Sequence, residues 1–345
     1  MSAKKVERIL SWAIPLIEAS KLNRPFFIGL TGLQGMLFRY LYLIILTTGG
    51  FRTIHFSLDD LYLTHQELKD VSARHPANKL YKHRGLSGTH DMVLAKAIFQ
   101  QLRESWNAPP GSSIQIPVYD KSLHSGQGDR RSKGEWRTIN LDDPIKVVIF
   151  EGWSIGFRPL EQSVLAAQHK SAQSSPAGLT NQIAEHTLED ITDINNALKE
   201  YDTYFSGPQF FDCLVYLQAM ELGYVYDWRD EQEQNLRNAN KPHQTKEEII
   251  SFVKNYMVAY ELYLPPLTSQ GFFDTRQAMS TSAEEASSSN TSTFVAALVL
   301  NGAVAFAQVS AFCVLRPKFP HIYEPRVTKP PVRYVNVLFT RKLFH

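Results

Sequence analysis

Three stretches put carboxylates directly after short strands. Asp59 and Asp60 close residues 53–58, Asp120 follows residues 114–119, and Glu151 ends residues 146–150. An acid at the end of a buried parallel strand is delivered to the sheet edge where open α/β folds meet their ligands. Two basic stretches, His83-Arg84 and Arg130-Arg131-Lys133, lie in polar loops between them. Acids for Mg²⁺, an acid that accepts a hydroxyl proton and arginines for phosphate oxygens are the parts that phosphoryl transfer requires. Each residue also has a plainer role. Asp59 or Asp60 can simply cap the helix that follows, Glu151 before Gly152 can sit in a solvated turn, and His90 suits a hydrogen bond at a helix start. Arg130 and Arg131, taken singly, are of a type found mostly at the surface. The histidines show no H-E-x-x-H spacing, so no metal site built by the protein alone is expected.

The scaffold that positions these groups opens at residues 26–62. A short apolar strand is punctuated by Gly29, Gly32 and Gly35, an apolar helix follows over 36–48, Gly49-Gly50 breaks it, and residues 53–58 form a second strand. That order opens a phosphate-binding α/β domain, in which backbone N–H groups at a helix start face an anion. A phosphate loop G-x-x-x-x-G-K-[ST] beginning at Gly32 requires glycine at 37, lysine at 38 and Ser or Thr at 39. The chain has Leu37, Phe38 and Arg39. The half that shapes the turn is present, and the half that supplies the cation and the metal-binding hydroxyl is absent.

Further along, Thr89 is read as the N-cap of a helix over 90–104, and residues 162–178 as an exposed insertion. An amphipathic helix is marked by Leu188, Ile191, Ile194, Leu198 and Tyr201, and residues 210–217 form a buried strand. Helices over 227–238 and 246–263 follow, the second ended by Pro265-Pro266. Strands alternating with helices predict an α/β fold, a mostly parallel sheet with helices on both faces in three layers. The expected organisation is an N-terminal amphipathic helix (1–24), the α/β domain (25–267), a Ser/Thr-rich linker (268–293) and an apolar then basic tail (294–345).

A 43% hydrophobic, 20% charged composition is globular, and a net charge of +2 predicts no strong attraction to nucleic acid or anionic membrane. Two cysteines, Cys213 and Cys313, make no disulfide framework, so a reducing, cytoplasmic setting is expected. Residues 294–315 carry no charge and reach the roughly 20 residues of a membrane helix, yet Asn301, Gly302, Gln308 and Ser310 interrupt them. The chain is therefore not expected in a membrane. Its oligomeric state is not readable.

Seven stretches in this order resemble the D-glycerate 3-kinase family and its fungal relatives, P-loop kinases akin to uridine kinase and phosphoribulokinase: GLTGLQG at 29–35, FSLDDLYLTH at 56–65, HRGLSGTHD at 83–91, IPVYDKSLHSGQGDR at 116–130, VIFEGWSIGF at 148–157, YVYDWRDEQEQNLR at 224–237 and YELYLPPL at 260–267. The resemblance implies a P-loop kinase fold and an ATP- and Mg²⁺-dependent kinase acting on a small hydroxyl compound, glycerate being the plant precedent. It implies that Asp59-Asp60 supplies the proton acceptor and metal neighbour, that Asp60 and Glu151 serve Mg²⁺ partly through water, and that Arg130 approaches substrate or phosphates. Gly29, Gly32, Gln34, Gly35 and Arg39 would meet the nucleotide, with Arg229 in a lid over ATP. His83, Arg84, His90, Asp91 and Asp129 would meet the acceptor. The chain departs from the family at 36–39, where Ser/Ala-Gly-Lys-Ser/Thr is the pattern, and after Gly271; both departures resemble misjoined exons. They open a second expectation, a non-catalytic binding module that keeps the fold.

Overall fold

The computed structural model describes residues 3–33, 50–219, 221–240, 243–273, 310–313 and 333–341. In chain order the elements are α1 (Ala3–Ala19), β1 (Phe26–Gly32), β2 (Thr53–Ser57), α2 (His65–Arg74) and α3 (Met92–Glu104). Four short strands follow, β3 (Ser113–Ile116), β4 (Tyr119–Asp120), β5 (Asp129–Arg130) and β6 (Arg137–Asn140). Then come β7 (Val147–Glu151), α4 (Gln162–Gln173), α5 (Leu188–Tyr201), β8 (Cys213–Ala219), α6 (Tyr224–Asn238), α7 (Lys246–Ser269), β9 (Ser310–Cys313) and β10 (Arg333–Arg341).

The centre is a parallel sheet in the order β2-β7-β1-β8. Its strands are apolar runs because both faces are covered. Phe26, Ile28 and Leu30 point to one face and pack with Ile9, Leu10 and Ile17 of α1. Phe27 points to the other, where the rings of Phe56 and Phe150 lie 4.7 Å apart and Phe99 of α3 stacks 5.9 Å from Phe27. Truncating any of these rings to alanine is worth about 3–5 kcal/mol. Gly29 sits inside β1, where an added Cβ would come within 2.6 Å of Leu214 Cδ1, so close packing in the sheet demands glycine there.

The register levels the strand tips. Glu151 of β7 pairs with Leu30 on one side and Ser57 on the other, which brings Gly32, Glu151 and Ser57 to one edge. Neighbouring tips lie about 4.8 Å apart.

Several local expectations are corrected. Thr89 does not cap α3: its hydroxyl accepts from Gly85 N–H and donates to Leu86 O, while Asp91 Oδ1 accepts from Leu94 N–H as the cap. The stretch 162–178 is mostly exposed as expected, but residues 162–173 are a helix that buries Leu165 and Ala172. Helix α7 continues through Pro265 and Pro266 to Ser269. Two interior prolines cost about 3 kcal/mol each, and burial of Leu264, Leu267 and Phe272 offsets that. The hydroxyls of Thr268 and Ser269 meanwhile donate to the carbonyls of Leu264 and Pro265. In the tail, β10 pairs antiparallel with β8 from Val335↔Ala219 to Arg341↔Cys213, and β9 pairs with β10, so the sheet is extended beyond its parallel core. The apolar run 294–315 lies outside the described residues apart from 310–313. Among the described residues, no helix is long and apolar enough to cross a membrane.

Candidate active site

One local device separates the two neighbouring acids. At the end of β2, Ser57 Oγ accepts from Asp59 N–H at 3.2 Å and Asp60 Oδ2 accepts from Ser57 N–H at 3.0 Å, a reciprocal cap on the single turn that follows. Asp60 is thereby folded back on its own backbone. Asp59 is left to open into a cleft of about 1350 Å³, where it forms an ion pair with Lys121. Glu151, Gly152 and Trp153 line the same cleft from the tip of β7.

The electrostatics follow from this packing. Burial pushes Asp59 up, but the charge and hydrogen bond of Lys121, with the Tyr62 hydroxyl, outweigh it and hold the carboxyl below its ordinary value. Burial raises Asp60, against the Ser57 N–H and the charge of Arg137. Glu151 is pushed up to about 7, first by burial and then by the neighbouring charges of Asp59 and Asp60, while the Ser57 hydroxyl and Lys121 oppose the rise. Three carboxyls within one strand-tip cluster thus divide into one held ionised and two held toward the neutral form.

His83 and Arg84 also line the cleft. Gly85 beside them has φ +140°, and a Cβ there would lie 2.3 Å from the ring of Tyr256, so the turn needs glycine. Tyr256 Oη donates to Arg84 O at 2.9 Å, which ties this loop to α7. The Arg84 guanidinium donates to Gly126 O at 3.0 Å and to Gln127 O, and lies 5.5 Å over the Tyr119 ring. Burial and the charges of Arg84 and Lys82 lower the His83 pKa.

Of the remaining sequence-derived residues, Arg229 lines the cleft and Arg130, Asp129, His90, Asp91 and Asp120 do not. Arg130 donates to Tyr62 O through Nε at 3.2 Å and Nη2 at 2.7 Å, and pairs with Asp91 at 3.0 Å. It braces the wall behind Tyr62. Asp129 accepts from His65 N–H, Arg130 N–H and His124 Nε2. His90 is buried, stacked 4.4 Å from Tyr62, with Nδ1 2.7 Å from Tyr201 Oη. That hydroxyl already accepts from the N–H groups of Gly88 and His90. Its own proton therefore goes to Nδ1, and the His90 ring, which burial holds neutral with a pKa of about 3, carries its hydrogen on Nε2. Asp120 does not join the strand-tip acids: its carboxylate accepts from Ser122 and pairs with Arg131, which holds its pKa at about 2. Arg229 of α6 lines the cleft and is held by Glu233 at 2.7 Å and Gln244 at 3.2 Å, 5.0 Å over Phe252 of α7. Gly32 ends β1 at the site edge; Gln34, Gly35 and Arg39 lie outside the described residues.

Lys121 and Ser57 escape the sequence reading. A signal existed for Ser57, since Ser three residues before an acid is a capping signature. Nothing local marks Lys121, whose partner Asp59 is 62 positions away.

A parallel sheet whose strand-tip acids Asp59 and Glu151 line one cleft, with residues of α6 and α7 on the same lining, has the α/β architecture of the P-loop kinases. The chain is 34% identical over 251 residues to the kinase mug58 of Schizosaccharomyces pombe, covering 72% of this chain and 84% of that one. It is 30% identical over 252 residues to the chloroplastic D-glycerate 3-kinase of Arabidopsis thaliana, covering 72% of this chain and 49% of that protein. Among solved structures, a D-glycerate 3-kinase from Cryptococcus neoformans superposes with a TM-score of 0.69 at 31% identity, covering 75% of this chain and 88% of the other. Residues 293–343 match a different family, described as late exocytosis, associated with Golgi transport. The chain belongs to the D-glycerate 3-kinase-like family of ATP-dependent kinases.

Proposed function

We propose that the cleft transfers the γ-phosphoryl group of ATP to the hydroxyl of a small hydroxy acid of the glycerate kind, in the cytoplasm, with residues 25–267 as the kinase domain between the helix 1–24 and the segments 268–293 and 294–345. The observation that carries this reading is the pairing of an ionised Asp59 with Glu151 in one cleft at the tips of adjacent parallel strands. The acceptor's hydroxyl oxygen forms the new bond to Pγ, the bond from Pγ to the ADP oxygen breaks, and the proton leaves to Asp59. Arg84 supplies positive charge to the cleft, which suits a carboxylate, and His83, held toward its neutral form, offers a hydrogen bond beside it.

The donor set suits Mg²⁺, a hard cation that keeps several waters. Ser57, Asp59 and Glu151 are all oxygen donors, and Glu151, raised first by burial and then by its acid neighbours, stands in a site that a cation would relieve. Among the described residues no three acids or histidines form a complete metal cage, so the ion would share its coordination with nucleotide phosphates and water. When bound it neutralises charge on the transferring group. Turnover of Mg–ATP with D-glycerate tests the proposal, and Asp59→Asn should abolish it.

Leu37, Phe38 and Arg39 favour a second reading, a nucleotide-binding module without turnover. Losing one preorganised donor costs roughly 100-fold or more in rate. Arg39, one position beyond the place of the lysine, offers a different fork geometry. Calorimetric Mg–ATP binding with no product formed would favour this reading.

A further inference from the structure

We propose that Lys121 is the cation that meets the transferring phosphoryl group from the acceptor side, in place of a phosphate-loop lysine. The inference rests on the kinase reading above. The chain has no lysine between Lys21 and Lys69, so the glycine segment after β1 cannot supply one.

Lys69, Lys82, Arg84, Lys121 and Arg229 line the cleft, and among the described residues Lys121 is the one of these that pairs with a strand-tip acid. Arg84 is taken up by the carbonyls of Gly126 and Gln127, and Arg229 by Glu233 and its two glutamine neighbours. Lys121 instead places its ammonium on Asp59, at the tip of β2, and its charge also reaches Glu151. It therefore stands over the two acids that meet the reacting groups.

The geometry lets the side chain move while its backbone stays. Residues 121–128 form a tight loop fixed at the base by Asp120, whose carboxylate takes the N–H and hydroxyl of Ser122, and at the tip by Arg84. His124 (φ +51°) and Ser125 (φ +56°) are both left-handed within it, and the His124 ring stacks on His65 at 3.9 Å. The Lys121 side chain, in contrast, is 57% exposed. A flexible stem with three rotatable donors can leave a single carboxylate for a more highly charged phosphate. In doing so it uncovers Asp59 for the acceptor's hydroxyl, so arrival of the phosphate frees the base. The acceptor O–Pγ bond forms, the Pγ–O bond to ADP breaks, and Asp59 takes the proton.

The test compares wild-type, Lys121→Met and Lys121→Arg full-length chains by calorimetry, with the Mg²⁺ complexes of ADP and of the non-hydrolysable β,γ-imido ATP analogue as probes. The expected result is that Lys121→Met weakens the triphosphate analogue roughly 10- to 100-fold, the value of one charge-assisted hydrogen bond. ADP affinity should change less than about twofold, and Lys121→Arg should keep most of the triphosphate affinity. Far-UV circular dichroism confirms that each variant is folded. Equal affinity of wild type and Lys121→Met for the analogue overturns the role of Lys121 alone. Failure of the wild type to bind either nucleotide overturns the kinase reading and this inference with it.

Discussion

Replacing Glu151 by glutamine should stabilise the protein at alkaline pH while damaging its chemistry. In the fold the Glu151 carboxyl rises from 4.5 to about 7, first because it is buried and then because Asp59 and Asp60 stand nearby. A group whose acid form is favoured by folding binds more protons folded than unfolded between those two values, so stability falls as pH rises through that window and stays low above it. At about 1.4 kcal/mol per pH unit, the full displacement amounts to roughly 3 kcal/mol above pH 7. Glutamine keeps the shape, still accepts from the Ser57 hydroxyl and carries no charge. Urea unfolding of wild type and Glu151→Gln should therefore give similar stabilities near pH 4.5 and a gap of about 2–3 kcal/mol in favour of the variant at pH 8. Mg–ATP binding should weaken in the same variant. A gap that does not change with pH would refute the assignment of Glu151 as a buried, crowded acid, as would a variant less stable at pH 8.

The two neighbouring aspartates should separate in function. Asp59→Asn should lower kcat by about 100-fold or more with little change in melting temperature, whereas Asp60→Ala should cost about 1 kcal/mol of stability through the lost cap, read by thermal unfolding. Gly85→Ala forces a Cβ onto Tyr256 at a left-handed backbone position and should lower stability by about 1–3 kcal/mol, seen as a melting temperature several degrees lower. Writing glycine, lysine and serine at 37–39 should raise turnover at least about 100-fold if the missing cation and hydroxyl limit the rate; steady-state kinetics at saturating Mg–ATP decides it.

The strands that carry the site were legible because strands buried on both faces leave uninterrupted apolar runs, and Glu151 stands at the end of one. The register that levels it with Ser57, and sets Gly32 two residues beyond its partner Leu30, follows from the parallel order. What the sequence hid depends on distant partners. Asp59 and Asp60 are equivalent as letters, and only the cap formed by Ser57 turns one inward to its backbone and the other toward Lys121. Arg130 reads as a phosphate ligand, yet in the fold it holds the Tyr62 carbonyl and Asp91. The tautomer of His90 is set by Tyr201, 111 positions away. Pro265 and Pro266 read as a stop because the lost amide bonds are visible in sequence, whereas the burial that outweighs them is not.

The account turns on phosphoryl transfer in the cleft of Asp59 and Glu151. Following a mixture of the full-length chain, Mg–ATP and D-glycerate by ³¹P NMR tests it most directly. The account expects ADP and a new phosphomonoester to appear together with the wild-type chain and neither with Asp59→Asn. A folded wild-type chain that binds Mg–ATP but phosphorylates no small hydroxy acid, or an Asp59→Asn variant as active as wild type, would contradict it.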